Sequence, residues 1–274
     1  MRQLLLLPSV LAAFVFFLLP LGLVIVYSLG RVDLVTFDIR FGWNLDNYRN
    51  LADPLYLHTI ERSVLLSVTA TLGCLTLGFP FAYFISRQTR AVQRVLLILV
   101  IVPFWTSFVV RSYSIETLLQ NGGPIDSLFR ALGMHDHINF LYTPRSIAVG
   151  IIYSYLPTMV LPIFVALERI DGSTLEAASD LGAGAASVFR RVTFPLALPG
   201  VVVGCLIVSI PAMGEFVIPE ILGGGKTLML GNVITRQFLD VGDVTFGSAI
   251  AVTLMGALSF ALFARRFIKP LEAA

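Results

Sequence analysis

Charge is what this chain has least of. Only 13% of its 274 residues are Asp, Glu, Lys or Arg, while 57% are hydrophobic. Soluble domains carry about a quarter charged residues, so that class is excluded and an integral membrane protein is expected. The formal net charge of +2 offers nothing to a polyanion, which removes nucleic acid as a partner. Cysteine is nearly missing too. Cys74 and Cys205 both fall in apolar stretches, and two are too few to read as a disulfide framework. Of three histidines, two stand in His135-Asp136-His137, with no further cluster to complete a metal site, so this reads as a solvated loop. A phosphate-binding loop is also missing. "GGGKT" at 223–227 ends like one, but the glycine required five positions before Gly225 is Glu220, and no strand precedes it. The chain therefore has no ATP site, no metal and no bound cofactor. The apolar runs hold no paired histidines, Ser/His set or close carboxylate pair, which removes an intramembrane enzyme.

What the chain has in plenty is uncharged length. Windows free of charge run 3–30, 63–86, 95–110, 146–167, 192–214 and 244–264. A bilayer-crossing helix needs about 20 mostly apolar residues at about 1.5 Å each. The expected fold is all-α and integral to the membrane. Six transmembrane helices are expected, at about 4–30, 63–86, 95–117, 146–167, 197–220 and 244–266, within one domain over 1–274. The first run is too long for a signal-peptide core and reads as an uncleaved helix. Positive charge is densest in the link 86–94, with three arginines, and in the tail, with Arg265, Arg266 and Lys269. Short basic segments beside a span mark the cytoplasmic side, so both termini are expected in the cytoplasm. External loops then fall at about 31–62, 117–145 and 221–243, and the long internal link is 168–195.

That internal link holds "LEAASDLGAGAASVFRRVTFPLALPG" (175–200), rich in small residues and unlike its apolar surroundings. Ser173 to Glu176 fit a capping box, in which a serine oxygen accepts from the amide three residues on and the glutamate reaches back. Gly182 and Gly184 supply a bend, because glycine tolerates left-handed geometry. A second short helix is expected at 185–192, running into Pro195. Alanine and glycine let another backbone approach, while Glu176, Asp180, Arg190 and Arg191 offer charge partners. Such a knob suits docking, not catalysis.

Its spacing also carries a resemblance. Glu176-Ala177-Ala178, three residues, Gly182, nine residues, then Val192-x-Phe194-Pro195 resembles the EAA loop, E-A-A-x3-G-x9-I-x-L-P, of binding-protein-dependent ABC importer permeases. Val and Phe replace Ile and Leu without losing apolar character. "LDNYRNLADPLYLHTIERSV" (45–64), "LVIVPFWTSFVVRSYS" (99–114), "YLPTMVLPIFVALERID" (155–171) and "GEFVIPEILGG" (214–224) are similar to spermidine/putrescine importer permeases. The resemblance implies a type I, MetI-like fold in a prokaryotic inner membrane. It implies Glu176, Ala177, Ala178, Asp180 and Gly182 as the coupling core that sits in an ATPase cleft. Implied partners are two ATP-binding subunits carrying the ATP and Mg2+, a second related permease (a heterodimer rather than a homodimer) and an extracytoplasmic solute-binding protein. The implied cargo is a polyamine. Another amine, an opine or an amino-acid-like solute is the alternative, and an ATP-independent secondary transporter the more distant one.

A cargo path has its own candidates. Pro211 and Gly214 should kink or break the fifth span. Just beyond lie Glu215 and Glu220, and a carboxylate at membrane depth is a functional candidate by default. The third span offers Trp105, Thr106, Ser107, Arg111 and Tyr113, and the fourth Tyr153 and Tyr155. Aromatic faces attract ammonium groups, though they also gather at membrane interfaces. Arg111 opposes a simple cation pocket unless Glu116 or Glu215 neutralises it.

Overall fold

Without water to satisfy backbone N–H and C=O groups, an apolar chain closes its hydrogen bonds within itself, and helix is the local solution. The computed structural model describes residues 11–12, 14–33, 35–36, 38–133 and 140–268, and His135 to His137 lie outside them. The one ladder among these residues is a two-residue antiparallel pair, β1 (Arg31–Val32) with β2 (Ile39–Arg40), in which Arg31 faces Arg40.

The chain divides into two compact units, Met1–Glu61 with Leu230–Ala274, and Arg62–Met229. In the first, a π-turn (Phe14–Leu18) leads into α1 (Leu19–Ser28), the ladder follows, and α2 covers Asp46–Asn50. Asn47 ties these together, its Nδ2 donating to the carbonyls of Ser28 (3.1 Å) and Gly30 (2.9 Å). Helix α3 (Pro54–Ser86) begins in this unit and continues into the second.

The second unit contains α4 (Arg90–Ile101), a 3-10 turn (Val102–Trp105), α5 (Phe108–Leu119), α6 (Pro124–Ala131) and α7 (Pro144–Glu168). After them come α8 (Gly172–Asp180), α9 (Ala185–Met213) and α10 (Val217–Gly223). The first unit then resumes with α11 (Leu230–Arg236), a π-turn (Gln237–Val241) and α12 (Val244–Ile268). Asp243 starts α12 as an aspartate cap should, its Oδ1 accepting from the Phe246 amide at 2.9 Å and the Thr245 hydroxyl at 2.7 Å.

Three helices are single, long and apolar enough to cross a bilayer: α3, α7 and α9, of 33, 25 and 29 residues. The expected third span, 95–117, is not one helix. Arg90–Trp105 and Phe108–Ala131 meet at 96°, so this segment is at most one broken crossing and the count reaches four. The cause is local. Pro103 lacks an amide proton, and Thr106 and Ser107 take extended backbone (ψ 150° and 137°), which ends one helix before the next begins. Phe14–Ser28 and Val244–Phe260 are apolar but shorter, so six full-length helices are not what the described residues contain.

Close packing of α7 and α9 rests on missing side chains. Gly200 and Gly204 are four apart on α9, and a Cβ on Gly200 would lie 2.5 Å from the Pro162 carbonyl oxygen. A Cβ on Gly204 would lie 2.8 Å from the Met159 sulfur. With no hydrophobic effect between helices in lipid, such backbone approach supplies the attraction. Around it Met159, Val160, Ile163, Ala197 and Val208 are buried, together with Cys74, Ala82 and Ile85 of α3. A second apolar cluster joins Ile147 and Ile151 of α7 to Ile218 and Leu222 of α10.

Candidate functional site

The small-residue segment forms a projecting knob. Helix α8 carries Glu176, Ala177 and Asp180 exposed, with Ala178 half-buried. Gly182 then takes φ +83°, the left-handed conformation a side chain resists, and a Cβ there would meet nothing within 4 Å. Leu181, immediately before the bend, is 89% exposed.

Two local expectations for the knob need correction. The capping box at Ser173 to Glu176 does not form, because α8 starts at Gly172 with Asp171 as its N-cap and no side-chain cap bond. Ser173 is thus the second helical residue, already too far along for its hydroxyl to reach an orphan amide. A box does form at the start of α7, where Thr143 and Ser146 bond each other's backbone amides. Nor is 185–192 a separate second helix. It is the first part of α9, which passes through a π-turn at Phe189–Thr193 and continues to Met213.

Within the second unit, a chain of contacts links three of the candidate elements. Arg111 on α5 is 8% exposed, with its guanidinium over the rings of Phe104 (4.7 Å) and Phe108 (5.5 Å). Phe108 meets Tyr155 of α7 edge-on at 6.3 Å. The Tyr155 hydroxyl donates to Glu215 Oε2 at 2.9 Å. The other carboxylate oxygen, Oε1, accepts from the amides of Phe216 (3.1 Å), Val217 (3.0 Å) and Ile218 (3.5 Å). Glu215 therefore sits in the break between α9 and α10, 7% exposed, where its charge meets the positive end of the short helix. Gly214 is the C-cap of α9, and Pro211 lies in its last turn, so the chain breaks just past the proline.

Neither acid suspected of neutralising Arg111 does so, for among the described residues Arg111 makes no ion pair with any acid, and its Nε has no hydrogen-bond partner. Glu116 instead lines a separate polar cavity of about 500 Å³ with Gln120, Asn121, Tyr142, Thr143 and Lys226. Lys226 of the "GGGKT" turn lies 5.8 Å from the centre of the Tyr142 ring, on glycines at φ +55° and +72°. That geometry is a lysine held over an aromatic face. Arg111 and Tyr153 line one apolar cavity of about 230 Å³, together with Leu96, Leu99 and Val100. Trp105, Ser107, Tyr113 and Glu220 are exposed, Trp105 at 83%.

In the sequence Tyr155 is one of several aromatics, and nothing local marks it as the partner of a residue 60 positions on. The glycine pair at 200 and 204 does carry a sequence signal, the small-xxx-small spacing of packed membrane helices.

Comparison with known proteins places these features in a group. Residues 75–269 match the family described as "Binding-protein-dependent transport system inner membrane component". The chain is 41% identical over 240 residues to the spermidine/putrescine transport system permease protein PotB of Escherichia coli strain K12, covering 87% of each chain. It is 38% identical over 249 residues to PotB of Haemophilus influenzae, covering 90% of this chain and 87% of that one. Among solved structures, a bacterial ABC transporter that imports the acidic polysaccharide alginate shares the fold, with a TM-score of 0.74 at 17% identity, covering 98% of this chain and 95% of that one.

Proposed function

The chain belongs to the binding-protein-dependent transport system inner membrane components, and from that premise we propose that it forms half of the path by which an ABC importer moves a polyamine into the cell. It is a multi-pass permease subunit of such an importer. Cargo is assigned from the relatives, since PotB of two organisms is by name a spermidine/putrescine permease and is 41% and 38% identical to this chain over 240 and 249 residues. Other amines, opines and amino-acid-like solutes are the competing cargoes.

In this reading the chain has no catalytic residues. Two partner ATPases hold ATP and Mg2+, a second related permease completes the path, and a solute-binding protein delivers cargo from outside. Both termini are cytoplasmic, and six crossings arise if the broken segment at 90–131 and the two shorter apolar helices each traverse the bilayer. The knob at 171–182 enters a cleft of the ATPase. Because α8 is joined through the Gly182 bend to α9, a push on the knob is delivered to a helix that runs 29 residues to the break at Glu215. Closure of the ATPases then rocks packed helices between two states, the rigid-body form of alternating access.

Glu215 and Glu220, with Trp105, Ser107, Tyr113 and Tyr153, are the cargo-facing candidates. A cargo ammonium can take the place of the Tyr155 hydroxyl at Glu215, since both are donors to the same oxygen. Arg111 stands near and sets a positive limit to that site. The observation that supports the whole reading best is the exposed Glu176-to-Gly182 knob, which has the family's spacing and no buried residue in its helix. Copurification tests it: the ATPase should stay bound to the intact chain and be lost when residues 175–182 are replaced by a Gly/Ser linker. A solute panel against the cognate binding protein tests the cargo, and tight binding of anions alone would remove the polyamine assignment.

A further inference from the structure

The "GGGKT" turn has no part in the proposed cargo path, yet its glycines place a lysine beside a cavity. Gly224 and Gly225 take φ +55° and +72°, and a Cβ on Gly224 would run into the Tyr142 ring. The ring thus packs on bare backbone, and Lys226 Nζ lies 5.8 Å from its centre. Tyr142 itself has φ +62°, the one non-glycine residue with left-handed backbone among the described residues. Such strain persists only where the surroundings hold it, and it gathers at ligand sites. The Tyr142 amide donates to the Leu222 carbonyl at 2.9 Å, and the same carbonyl accepts from Ser146 Oγ at 3.0 Å.

Lys226 and Glu116 line the same polar cavity of about 500 Å³, within the range of about 300–1,000 Å³ that small-molecule sites occupy. Glu116 comes from α5 and Lys226 from the turn after α10, both inside the second compact unit. Among the described residues neither forms an ion pair. Two opposite charges on one cavity exclude the simpler ligands. Glu116 repels a bare anion such as phosphate, and Lys226 repels a polyamine. A molecule carrying an anionic group and an ammonium group together satisfies both, and Gln120 and Thr143 add neutral hydrogen-bonding groups.

We propose that this cavity binds a zwitterion, the carboxylate of a free α-amino acid pairing with Lys226 and its ammonium with Glu116. A phosphoethanolamine lipid headgroup presents the same two charges, and binding measurements separate the two sources. A ligand held at both ends joins α5 to the turn after α10. The site needs neither the cargo nor the coupling assignment.

The full-length chain, purified in detergent with the subunits it retains, is titrated by calorimetry with L-alanine, L-glutamine and L-leucine. Propionate and ethylamine, which each keep one of alanine's two charges, are the controls. At least one amino acid should bind with a Kd of about 1 mM or tighter, and each one-charge analogue about tenfold more weakly. Glycerophosphoethanolamine is the second arm, and tighter binding than every amino acid assigns the site to a lipid headgroup. Lys226→Gln and Glu116→Gln, at an exposed and a half-buried position, should each weaken binding about tenfold and leave the ligand-free melting temperature unchanged. The analogue series is read on the unaltered chain, so it does not depend on how the variants fold. No binding by any amino acid or by glycerophosphoethanolamine would overturn the site. So would equal affinity for propionate or ethylamine, full affinity in either variant, or displacement of the bound amino acid by putrescine.

Discussion

Replacing Gly182 with valine isolates the bend from everything around it. A Cβ at this position meets nothing within 4 Å, so the substitution brings no clash and no lost packing. What it brings is backbone strain, because φ is +83° and a β-branched residue is poorly tolerated there. The left-handed region costs an L-residue about 1–2 kcal/mol, with valine at the upper end. A cost of about 2 kcal/mol lowers the population of the bent knob about thirtyfold relative to unbent alternatives. Helix α8 has nine residues and none of them is buried, so the strain is released locally while the packed helices stay as they are. Membrane insertion and thermal stability in detergent should therefore be unchanged. Cargo uptake into proteoliposomes and cargo-stimulated ATP hydrolysis should both fall by more than tenfold. Asparagine, which enters the left-handed region readily, serves as the control and should keep most of the activity. Wild-type uptake by Gly182→Val, or equal losses in the valine and asparagine variants, would refute the coupling role of the bend.

Other expected outcomes follow from the same contacts. Gly200→Val should abolish recovery of folded protein, because its first atom would lie 2.5 Å from the Pro162 oxygen and 2.6 Å from Ala166 Cβ. By contrast Gly184→Ala, at φ −66° in open space, should leave the melting temperature unchanged. Tyr155→Phe removes one hydrogen bond to a carboxylate and should destabilise the protein by about 1.5–3 kcal/mol, read as a lower melting temperature in detergent. Glu215→Gln keeps an oxygen for the amides of 216–218 but loses the charge, so assembly should survive while the KM for a polyamine rises at least tenfold; an unchanged KM would make Glu215 a helix cap and nothing more.

The knob was legible because its information is local. Glu176, Ala177, Ala178 and Gly182 lie within seven residues, and the bend at Gly182 follows from glycine's own conformational freedom. The capping box was misplaced by the start of α8. Residues that can cap occur at 171, 173 and 174, and the register of a nine-residue helix is settled by small differences among them. The break in the third span is hidden for another reason. Charge-free length reports how apolar a segment is, whereas the elbow at 102–107 comes from Pro103 and two extended residues after it. Hydropathy does not register such a bend.

Composition and spacing alone therefore determined that this chain lives in a membrane and carries a glycine-bent, small-residue segment between apolar runs, because each is a property of neighbouring residues. Only the tertiary structure decided what the buried charges do. Tyr155 and Glu215 are 60 residues apart and meet because the helices that carry them pack together. Among the described residues Arg111 makes no ion pair, while Glu215 is held by that tyrosine and by three amides at the start of α10. Which charges pair depends on distance in space, and the order of residues along the chain does not contain that distance.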